Sequence, residues 1–205
     1  MTSGHFIVLE GLDGSGKTSI ARRLSQFLVE KNIDAILTKE PTENFHRDAE
    51  LEGKRDYISS MRLFFEFTAD RITHSEVIGK WVSEGKTVVC DRFLYSSLAY
   101  QGSIICKKFE SDEDGIEWMR EVSRVIHLKP EMCIYLDIDP ETAMSRISRR
   151  MDSASGFEEL EFLRDVRNTY LTLPECREGM IDASKSLEDT LESVKSMIKS
   201  RLRLW

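Results

Sequence analysis

Short apolar runs recur along the whole chain and are separated by longer segments with helical periodicity. Each run has the length of a buried β-strand and is bounded by polar or turn-forming residues. The strands that they predict are Phe6–Glu10, Ala35–Thr38, Thr87–Cys90, Met132–Asp137 and Met180–Asp182. Strands that alternate with helices are typical of a parallel sheet covered on both faces, so we expect an α/β fold.

The intervening segments place apolar residues three and four positions apart, as on one face of a helix. The predicted helices are Ser19–Val29, Tyr57–Trp81, Ile116–His127, a helix that Pro140 opens and that ends in Arg146–Arg150, and a last one that follows Ser186. The residues expected to face the core are Ala21, Leu24, Phe27 and Leu28, then Tyr57, Met61, Phe64, Phe65, Thr68 and Ile72, then Trp118, Met119, Val122 and Val125, and finally Leu187, Leu191, Val194 and Ile198.

Three polar stretches fall outside these elements. Residues 44–56 are expected to form a mobile surface segment, and Glu110–Asp114 a solvated acidic loop. Met151–Gly156, rich in Ser and Ala, is expected to be a flexible hinge or lid. The sequence contains no repeat or linker, so we predict one domain over residues 1–205, with a lid at about residues 146–157.

Composition narrows the class of protein. The chain has 205 residues, 40% of them hydrophobic, which is enough for a full core. Its net charge of −7 argues against a nucleic-acid surface, which needs a basic face. No apolar run reaches membrane length and no signal peptide is visible, so we expect a cytoplasmic protein with no membrane partner.

The cysteines and histidines do not indicate a metal or disulfide framework. The four cysteines form no C-x-x-C pair, which argues against a zinc site, and Cys90 and Cys133 lie in apolar strands, where burial is expected. The four histidines form no ligand cluster, and none is predicted to be catalytic.

The first strand leads into a phosphate-binding loop. Its pattern is Gly11-x-x-x-x-Gly16-Lys17-Thr18, and the intervening residues are Leu12, Asp13, Gly14 and Ser15. Glycines let backbone N–H groups approach phosphate oxygens, and the helix that follows directs its positive end to the same point. Lys17 is predicted to reach the outer phosphates of a nucleotide, and the Thr18 hydroxyl to hold Mg²⁺. A glycine-rich turn with an unrelated lysine is the alternative, but the flanking strand and helix favour the loop.

Polar residues follow several other predicted strands, where ligands of parallel sheets bind. Asp91 is a candidate for Mg²⁺ or its waters, and Arg92 offers a planar fork for a phosphate. Asp137 and Asp182 end two further strands. For Lys39–Thr42, the pattern alone favours a plain loop with a proline.

Two further groups have a structural and a functional interpretation. Phe67 and Arg71 share one face of the predicted long helix, and the pattern alone favours a core phenylalanine beside a solvated arginine. The basic residues of Arg146–Arg150 suit a helix C-terminus, but in an acidic protein their place opposite the phosphate loop favours a role on phosphates.

The chain resembles the thymidylate kinases from Glu10-Gly11-Leu12-Asp13 to Asp182-Ala183-Ser184. Its segment Asp91-Arg92-Phe93-x-x-Ser96-Ser97-x-Ala99-Tyr100-Gln101 is similar to the family signature, which is far more specific than the phosphate loop. The resemblance implies a three-layer P-loop fold with a five-stranded parallel sheet and a lid, usually in a homodimer. It also implies phosphoryl transfer from MgATP to dTMP, giving dTDP and ADP for dTTP synthesis.

The resemblance also implies roles for individual residues. Phe67 and Arg71 match the thymine site, Asp13 the acid at the acceptor's sugar hydroxyl, and Tyr100 the aromatic beside the deoxyribose 2′ position. Ser97 and Gln101 belong to the acceptor-binding signature. The positions near the donor adenine are Arg146 and Ser184.

The chain departs from the family pattern at two places. One branch of the family carries a catalytic arginine in the phosphate loop, where this chain has Gly14. The other branch supplies it from the lid, and Arg150 fits that alignment, with Arg149 as the alternate. The arginine that usually follows the proline of strand two is absent from Pro41-Thr42-Glu43-Asn44, and Arg47 is the nearest substitute.

Of three alternative functions, the sequence argues against one and leaves two open. The nearest is another nucleoside or nucleotide kinase, with thymidine or UMP as acceptor. A GTPase switch needs an Asn-Lys-x-Asp motif, but none of Asn32, Asn44 and Asn168 is followed by lysine. A non-catalytic P-loop nucleotide-binding module is the third.

Overall fold

The computed structural model describes residues 4–45, 51, 53–151 and 157–204, with the backbone alone for 149–151 and 157–158. Five parallel strands form one sheet in the order β2-β3-β1-β4-β5. The strands are β1 (Phe6–Gly11), β2 (Ala35–Lys39), β3 (Thr87–Asp91), β4 (Met132–Asp137) and β5 (Met180–Asp182). The predicted α/β sheet is confirmed, and each strand lies where the apolar runs indicated.

Helices flank the sheet in two groups. They are α1 (Lys17–Glu30), α2 (Tyr57–Ser83), α3 (Leu94–Tyr100), α4 (Gly102–Ile105), α5 (Asp112–Val122), α6 (Pro140–Met151), α7 (Phe157–Thr172), α8 (Pro174–Glu178) and α9 (Leu187–Leu202). Helix α1 contacts α9, whereas α3 contacts α2 and α7. Every residue of β1 and β3 is buried, which explains the apolar runs Phe6–Leu9 and Val88–Cys90 within them.

Side-chain caps set several helix boundaries. The Asp56 carboxylate accepts a hydrogen bond from Ser59 N at the start of α2. The hydroxyls of Ser111 and Ser186 do the same for α5 and α9. Such caps satisfy N–H groups that have no partner within the helix.

The core prediction for the long helix α2 is confirmed in part: Phe64 and Thr68 are buried, and Tyr57 and Met61 pack against the core. Phe65 and Ile72, expected in the core, are 47% and 42% exposed. The buried face instead carries polar residues among its apolar ones: Ser59, Ser60, Phe64, Thr68, Arg71, His74, Ser75 and Ile78. Hydrophobicity misplaced Phe65 and Ile72 because the C-terminal half of the buried face lines a polar site and carries polar residues.

The acidic loop predicted at Glu110–Asp114 is wrong in its C-terminal part. Asp112–Asp114 form the first turn of α5, where carboxylates interact favourably with the positive helix end. The same helix ends at Val122 rather than His127, and Val125, predicted in the core, is 57% exposed. A 3₁₀ turn at Ser123–Val125 rotates that side chain away from the helix face.

Residues 46–50 and 52 of the predicted mobile segment and residues 152–156 of the predicted lid fall outside the described residues. The cysteines are all buried as free thiols, as predicted for Cys90 and Cys133. Among the described helices, none is both long enough and apolar enough to cross a membrane.

Candidate active site

The phosphate loop connects β1 to α1 and depends on three glycines. Gly11, Gly14 and Gly16 have φ angles of 144°, 84° and 93°, a region that other residues rarely adopt. Gly16 caps α1 without a side-chain hydrogen bond, so the N–H groups of the first turn remain available to an anion. The loop therefore has the backbone form that the motif predicted.

Lys17 is buried at the base of this loop. Its side-chain nitrogen donates to the Leu12 carbonyl at 2.7 Å, and the residue is 5% exposed. Burial, reinforced by the charge of Arg92, lowers the pKa of Lys17 to about 7. Negatively charged phosphate oxygens beside Lys17 would stabilise its protonated form.

Thr18 and Asp91 form a candidate magnesium site. Asp91 ends β3 beside β1, and its Oδ2 accepts a hydrogen bond from the Thr18 hydroxyl at 2.6 Å. The other oxygen, Oδ1, is buried and has no hydrogen-bond partner among the described residues. A hydroxyl beside a carboxylate with a free oxygen fits Mg²⁺, which binds few protein groups and keeps several waters.

Arg92, Asp13 and Tyr100 form one corner of the site. Arg92 has a φ of 75°, and its guanidinium donates to Asp13 Oδ1 at 2.7 Å and to Ser96 Oγ at 2.8 Å. The Tyr100 hydroxyl accepts from the Asp13 N–H at 2.9 Å, and Arg92 stacks over the Tyr100 ring. Partial burial acts to raise the pKa of Asp13, but the charges of Arg92 and Lys17 outweigh it and lower the pKa.

A cavity of about 220 Å³ opens beside this corner. It brings together every residue that the sequence assigned to the acceptor. Its lining is Asp13, Glu40, Pro41, Phe67, Arg71, Arg92, Phe93, Ser96, Ser97, Tyr100 and Gln101. We refer to it as the acceptor cavity.

Phe67 and Arg71 reverse the arrangement that the pattern alone favoured. Arg71 is only 2% exposed, whereas Phe67 is half-buried and stacks on Phe45 with ring centroids 5.0 Å apart. Arg71 donates from Nη2 to Ser97 Oγ at 3.1 Å and to the Phe93 carbonyl at 3.3 Å. Its Nη1 is buried without a hydrogen-bond partner in the described part of the chain, and the residue lines the acceptor cavity.

Sequence reasoning missed Glu40 and His74. The segment Lys39–Thr42 was interpreted as a plain loop, but Glu40 is 6% exposed and accepts from Arg71 Nε at 2.6 Å. His74, one turn after Arg71, lies 3.0 Å from the other Glu40 oxygen. The available signals were an acid at the carboxyl end of β2 and a histidine at helical spacing from the arginine.

Glu10 was also missed as a site residue. It is fully buried, and its carboxylate accepts from Phe93 N at 2.8 Å and from the hydroxyls of Ser96 and Tyr170. Burial raises the pKa of Glu10, against the opposing effect of these hydrogen bonds and of Arg92. An acid at the end of an apolar strand was the signal.

The predicted donor-side residues lie at the other side of the phosphate loop. Arg146 donates to the carbonyls of Ala183 at 3.2 Å and Gly14 at 3.4 Å. Ser184 is oriented by two hydrogen bonds to Asp182. The side chains of Arg149 and Arg150 lie outside the described residues, as does Arg47.

Comparison with known proteins gives one consistent family. The family model described as thymidylate kinase matches residues 9–194. Curated relatives named "Probable thymidylate kinase" include one from Thermoplasma acidophilum, 36% identical over 97% of both chains. Another, from Staphylothermus marinus, is 34% identical over 98% of this chain and 97% of its own. A third, from Pyrococcus abyssi, is 36% identical over 97% of this chain and 98% of its own.

Proposed function

The chain belongs to the thymidylate kinase family, and from this premise we propose that it phosphorylates dTMP with MgATP, giving dTDP and ADP. It is a transferase of the kinase class, and its product lies on the route to dTTP. The observation that carries the proposal is the acceptor cavity, which opens beside Arg92 and the phosphate loop. The phosphate loop thus suits a triphosphate donor, and the acceptor cavity suits a pyrimidine nucleotide.

Alignment and charge neutralisation account for the chemistry. The attacking oxygen belongs to the acceptor phosphate, which is already ionised near neutral pH, so no general base is needed. Lys17 would neutralise charge on the donor phosphates, and Arg92 would hold the acceptor phosphate against them. The Asp13 carboxylate keeps the Arg92 guanidinium oriented at 2.7 Å.

Thr18 and Asp91 are the residues that would hold Mg²⁺. When bound, the ion would neutralise part of the charge on the donor phosphates. We propose Gly11, Asp13, Gly14, Ser15, Gly16, Lys17 and Thr18 for the donor phosphates, and Arg146 and Ser184 for the adenine side.

Arg71 and Phe67 support recognition of thymine. A half-buried ring stacks on any base, so Phe67 contributes affinity without selection. Arginine only donates hydrogen bonds, and its free Nη1 suits the O4 acceptor of thymine or uracil but not the N4 amino group of cytosine. Tyr100, with Ser97 and Gln101 beside it, would exclude a ribose 2′-hydroxyl.

We also propose a homodimer and a cytoplasmic location. Ile58, Phe65 and Ile72 are exposed at intervals of seven residues along α2, so they form an apolar stripe on one side of the helix. Such a stripe suits a self-complementary interface. Four free buried cysteines suit a reducing compartment.

A panel of nucleoside monophosphates with ATP tests the function. The expected order of kcat/KM is dTMP, then dUMP, then UMP and dCMP. Loss of the thymine methyl should cost dUMP about 1–3 kcal/mol of binding free energy. For dCMP the cost should be larger, because its amino group and the Arg71 donor would face each other unpaired in a dry pocket. The readout is ADP release, confirmed by detection of the diphosphate product.

The same panel decides among the alternatives. Faster phosphorylation of UMP than of dTMP would show another nucleotide kinase, and with thymidine added as an acceptor, faster formation of dTMP than of dTDP would show a nucleoside kinase. A protein that binds ATP but forms no diphosphate with any acceptor would be a non-catalytic nucleotide-binding module.

A further inference from the structure

Arg71 lines the acceptor cavity, and two of the three nitrogens of its guanidinium are hydrogen-bonded to the protein. Its Nε donates to Glu40 Oε2 at 2.6 Å, and its Nη2 to Ser97 Oγ and the Phe93 carbonyl. Because the guanidinium is planar, these bonds set the direction of Nη1, the nitrogen without a partner among the described residues. Whatever fixes the Nε bond therefore also fixes the direction of Nη1.

Glu40 is held from its backbone and from its second oxygen. Its N–H donates to the Asp91 carbonyl at 3.0 Å, which extends the pairing of β2 with β3 by one residue. Its Oε1 lies 3.0 Å from His74 Nδ1, while Oε2 receives Arg71. A carboxylate only accepts hydrogen bonds, so Nδ1 is the protonated nitrogen of this pair.

His74 extends the chain of hydrogen bonds away from the cavity. It is 5% exposed and follows Arg71 by three residues, so both side chains lie on the same face of α2. Its Nε2 lies 2.8 Å from the Thr38 hydroxyl in β2. Residues Thr38, His74, Glu40 and Arg71 thus form one chain of hydrogen bonds from the edge strand to the base pocket.

Resting on the proposed function, we propose that Glu40 and His74 are positioning residues for base selection. His74 does not line the acceptor cavity, and both Glu40 oxygens already have partners. They act through Arg71, by holding its free Nη1 where an acceptor at the base's 4-position pairs with it. A donor in a fixed position pairs well with the O4 acceptor of thymine and disfavours the N4 amino group of cytosine. A mobile donor binds thymine less tightly and rejects cytosine less strongly.

The test compares dTMP with dCMP in matched variants. His74→Ala frees one Glu40 oxygen, so kcat/KM for dTMP should fall about tenfold, mainly through KM, because the base contact is equal in the ground and transition states. The kcat/KM for dCMP should stay within about threefold of the wild-type value, since a mobile Arg71 can move away from the cytosine amino group. The ratio of kcat/KM for dTMP to that for dCMP should therefore decrease.

His74→Asn is the rescue variant, because its amide nitrogen replaces Nδ1 as a donor to Glu40. It should keep the ratio within about threefold of wild type. Ser75→Ala is the matched control: Ser75 is buried on the same helix, but its hydroxyl donates to the Ile72 carbonyl, outside the chain of hydrogen bonds. The ratio should be unchanged in this variant.

A purely structural role predicts a different result. His74→Ala would then lower kcat/KM for dTMP and dCMP in parallel and raise the KM for ATP, and that outcome overturns the proposal. Equal damage from His74→Asn and His74→Ala overturns it as well. If His74→Ala fails to fold, Glu40→Gln decides: its neutral amide oxygen is a weaker acceptor for the Arg71 guanidinium than the carboxylate, so Nε is held less firmly and the ratio of dTMP to dCMP should again narrow.

The wild-type measurement separates this inference from the function itself. A wild-type protein that does not prefer dTMP contradicts the proposed function. A wild-type preference that survives both His74→Ala and Glu40→Gln contradicts only the positioning role.

Discussion

Lys17 has an unusual ionisation for a residue that binds phosphates. Its pKa of about 7 follows first from burial and then from Arg92, against the attraction of Asp13. Above that pH the free enzyme holds Lys17 neutral. The negative phosphates of a nucleotide favour the ammonium form and raise the pKa again, so binding and protonation are linked.

We predict that ATP binding takes up a proton in mildly alkaline solution. At pH 8 most of Lys17 is neutral in the free protein, so binding should take up most of one proton. At pH 6 the lysine is already protonated and this uptake should disappear. Isothermal titration calorimetry in two buffers of different ionisation enthalpy measures the number directly.

Lys17→Ala is the control for this prediction. It should lose both the pH-dependent uptake and most phosphoryl transfer, with an unchanged circular dichroism spectrum. Uptake that persists in the variant would assign the proton to another group, and uptake independent of pH in the wild type would contradict the lowered pKa.

At the scale of elements, the packing of α6 against the phosphate loop decides where an arginine can act. A Cβ at Gly14 would lie 2.4 Å from the Ala143 carbonyl oxygen in α6, and its φ of 84° disfavours any side chain. The phosphate loop therefore has no room for the arginine that one branch of the family places there. Helix α6 itself continues through residues 149 and 150 to Met151.

We predict that Arg150 supplies that charge from the lid. Arg150→Ala should lower kcat by at least about 100-fold, within the range for lost transition-state stabilisation. The affinity for ATP should change much less, because the contact matters most in the transition state. Single-turnover kinetics and a separate ATP-binding titration provide the two measurements.

Two other arginines serve as comparisons. Arg164→Ala removes an exposed arginine of α7 that pairs with Glu141 and Glu161, and it should leave kcat unchanged. If Arg149→Ala causes the large loss instead, the catalytic position is one residue earlier. Equal losses in ATP affinity and kcat would show a binding role for Arg150.

At the scale of the whole molecule, the apolar stripe on α2 lies on the side of the helix away from the site. Phe65 in this stripe approaches Trp118 of α5 with ring centroids 6.4 Å apart, so the apolar surface extends onto a second helix. The opposite face of α2 holds Arg71 and His74. An interface on the stripe would therefore brace the helix that carries the base-recognition residues.

We predict that Phe65→Glu converts a dimer into a monomer. The wild-type protein should have twice the protomer mass of 23.7 kDa by light scattering, and the variant should have the protomer mass. A buried carboxylate in an apolar interface costs several kcal/mol unless it is paired, which is enough to dissociate a modest interface.

The matched control is Val29→Glu. Val29 is 56% exposed on α1, outside the stripe, so the same charge there should leave the mass unchanged. A wild-type protein that is monomeric at micromolar concentration would contradict the dimer, and a Phe65→Glu dimer would place the interface elsewhere.

Local sequence determined the strands, the phosphate loop and most helix positions. Buried parallel strands need continuous apolar runs, and Gly11-x-x-x-x-Gly16-Lys17-Thr18 has a backbone form that few other sequences adopt. Caps such as Asp56 and Ser186 act within three residues. These features depend on near neighbours, so a pattern along the chain is sufficient to predict them.

The chemical identity of the site also came from sequence, but through resemblance rather than periodicity. The pattern alone assigns Arg71 to solvent and Phe67 to the core, whereas the structure buries Arg71 and leaves Phe67 only partly buried. The resemblance to the family pointed to the acceptor residues that the structure gathers in one cavity.

Only the tertiary structure decided which face of α2 is buried and what Arg71 contacts. The buried face is polar because Glu40, from the end of β2, neutralises Arg71 across 31 residues of sequence. Glu10 and Tyr170 meet across 160 residues in the same way. A buried polar group is stable only beside its partner, and that partner is brought by the fold, so its burial has no signature in the local sequence.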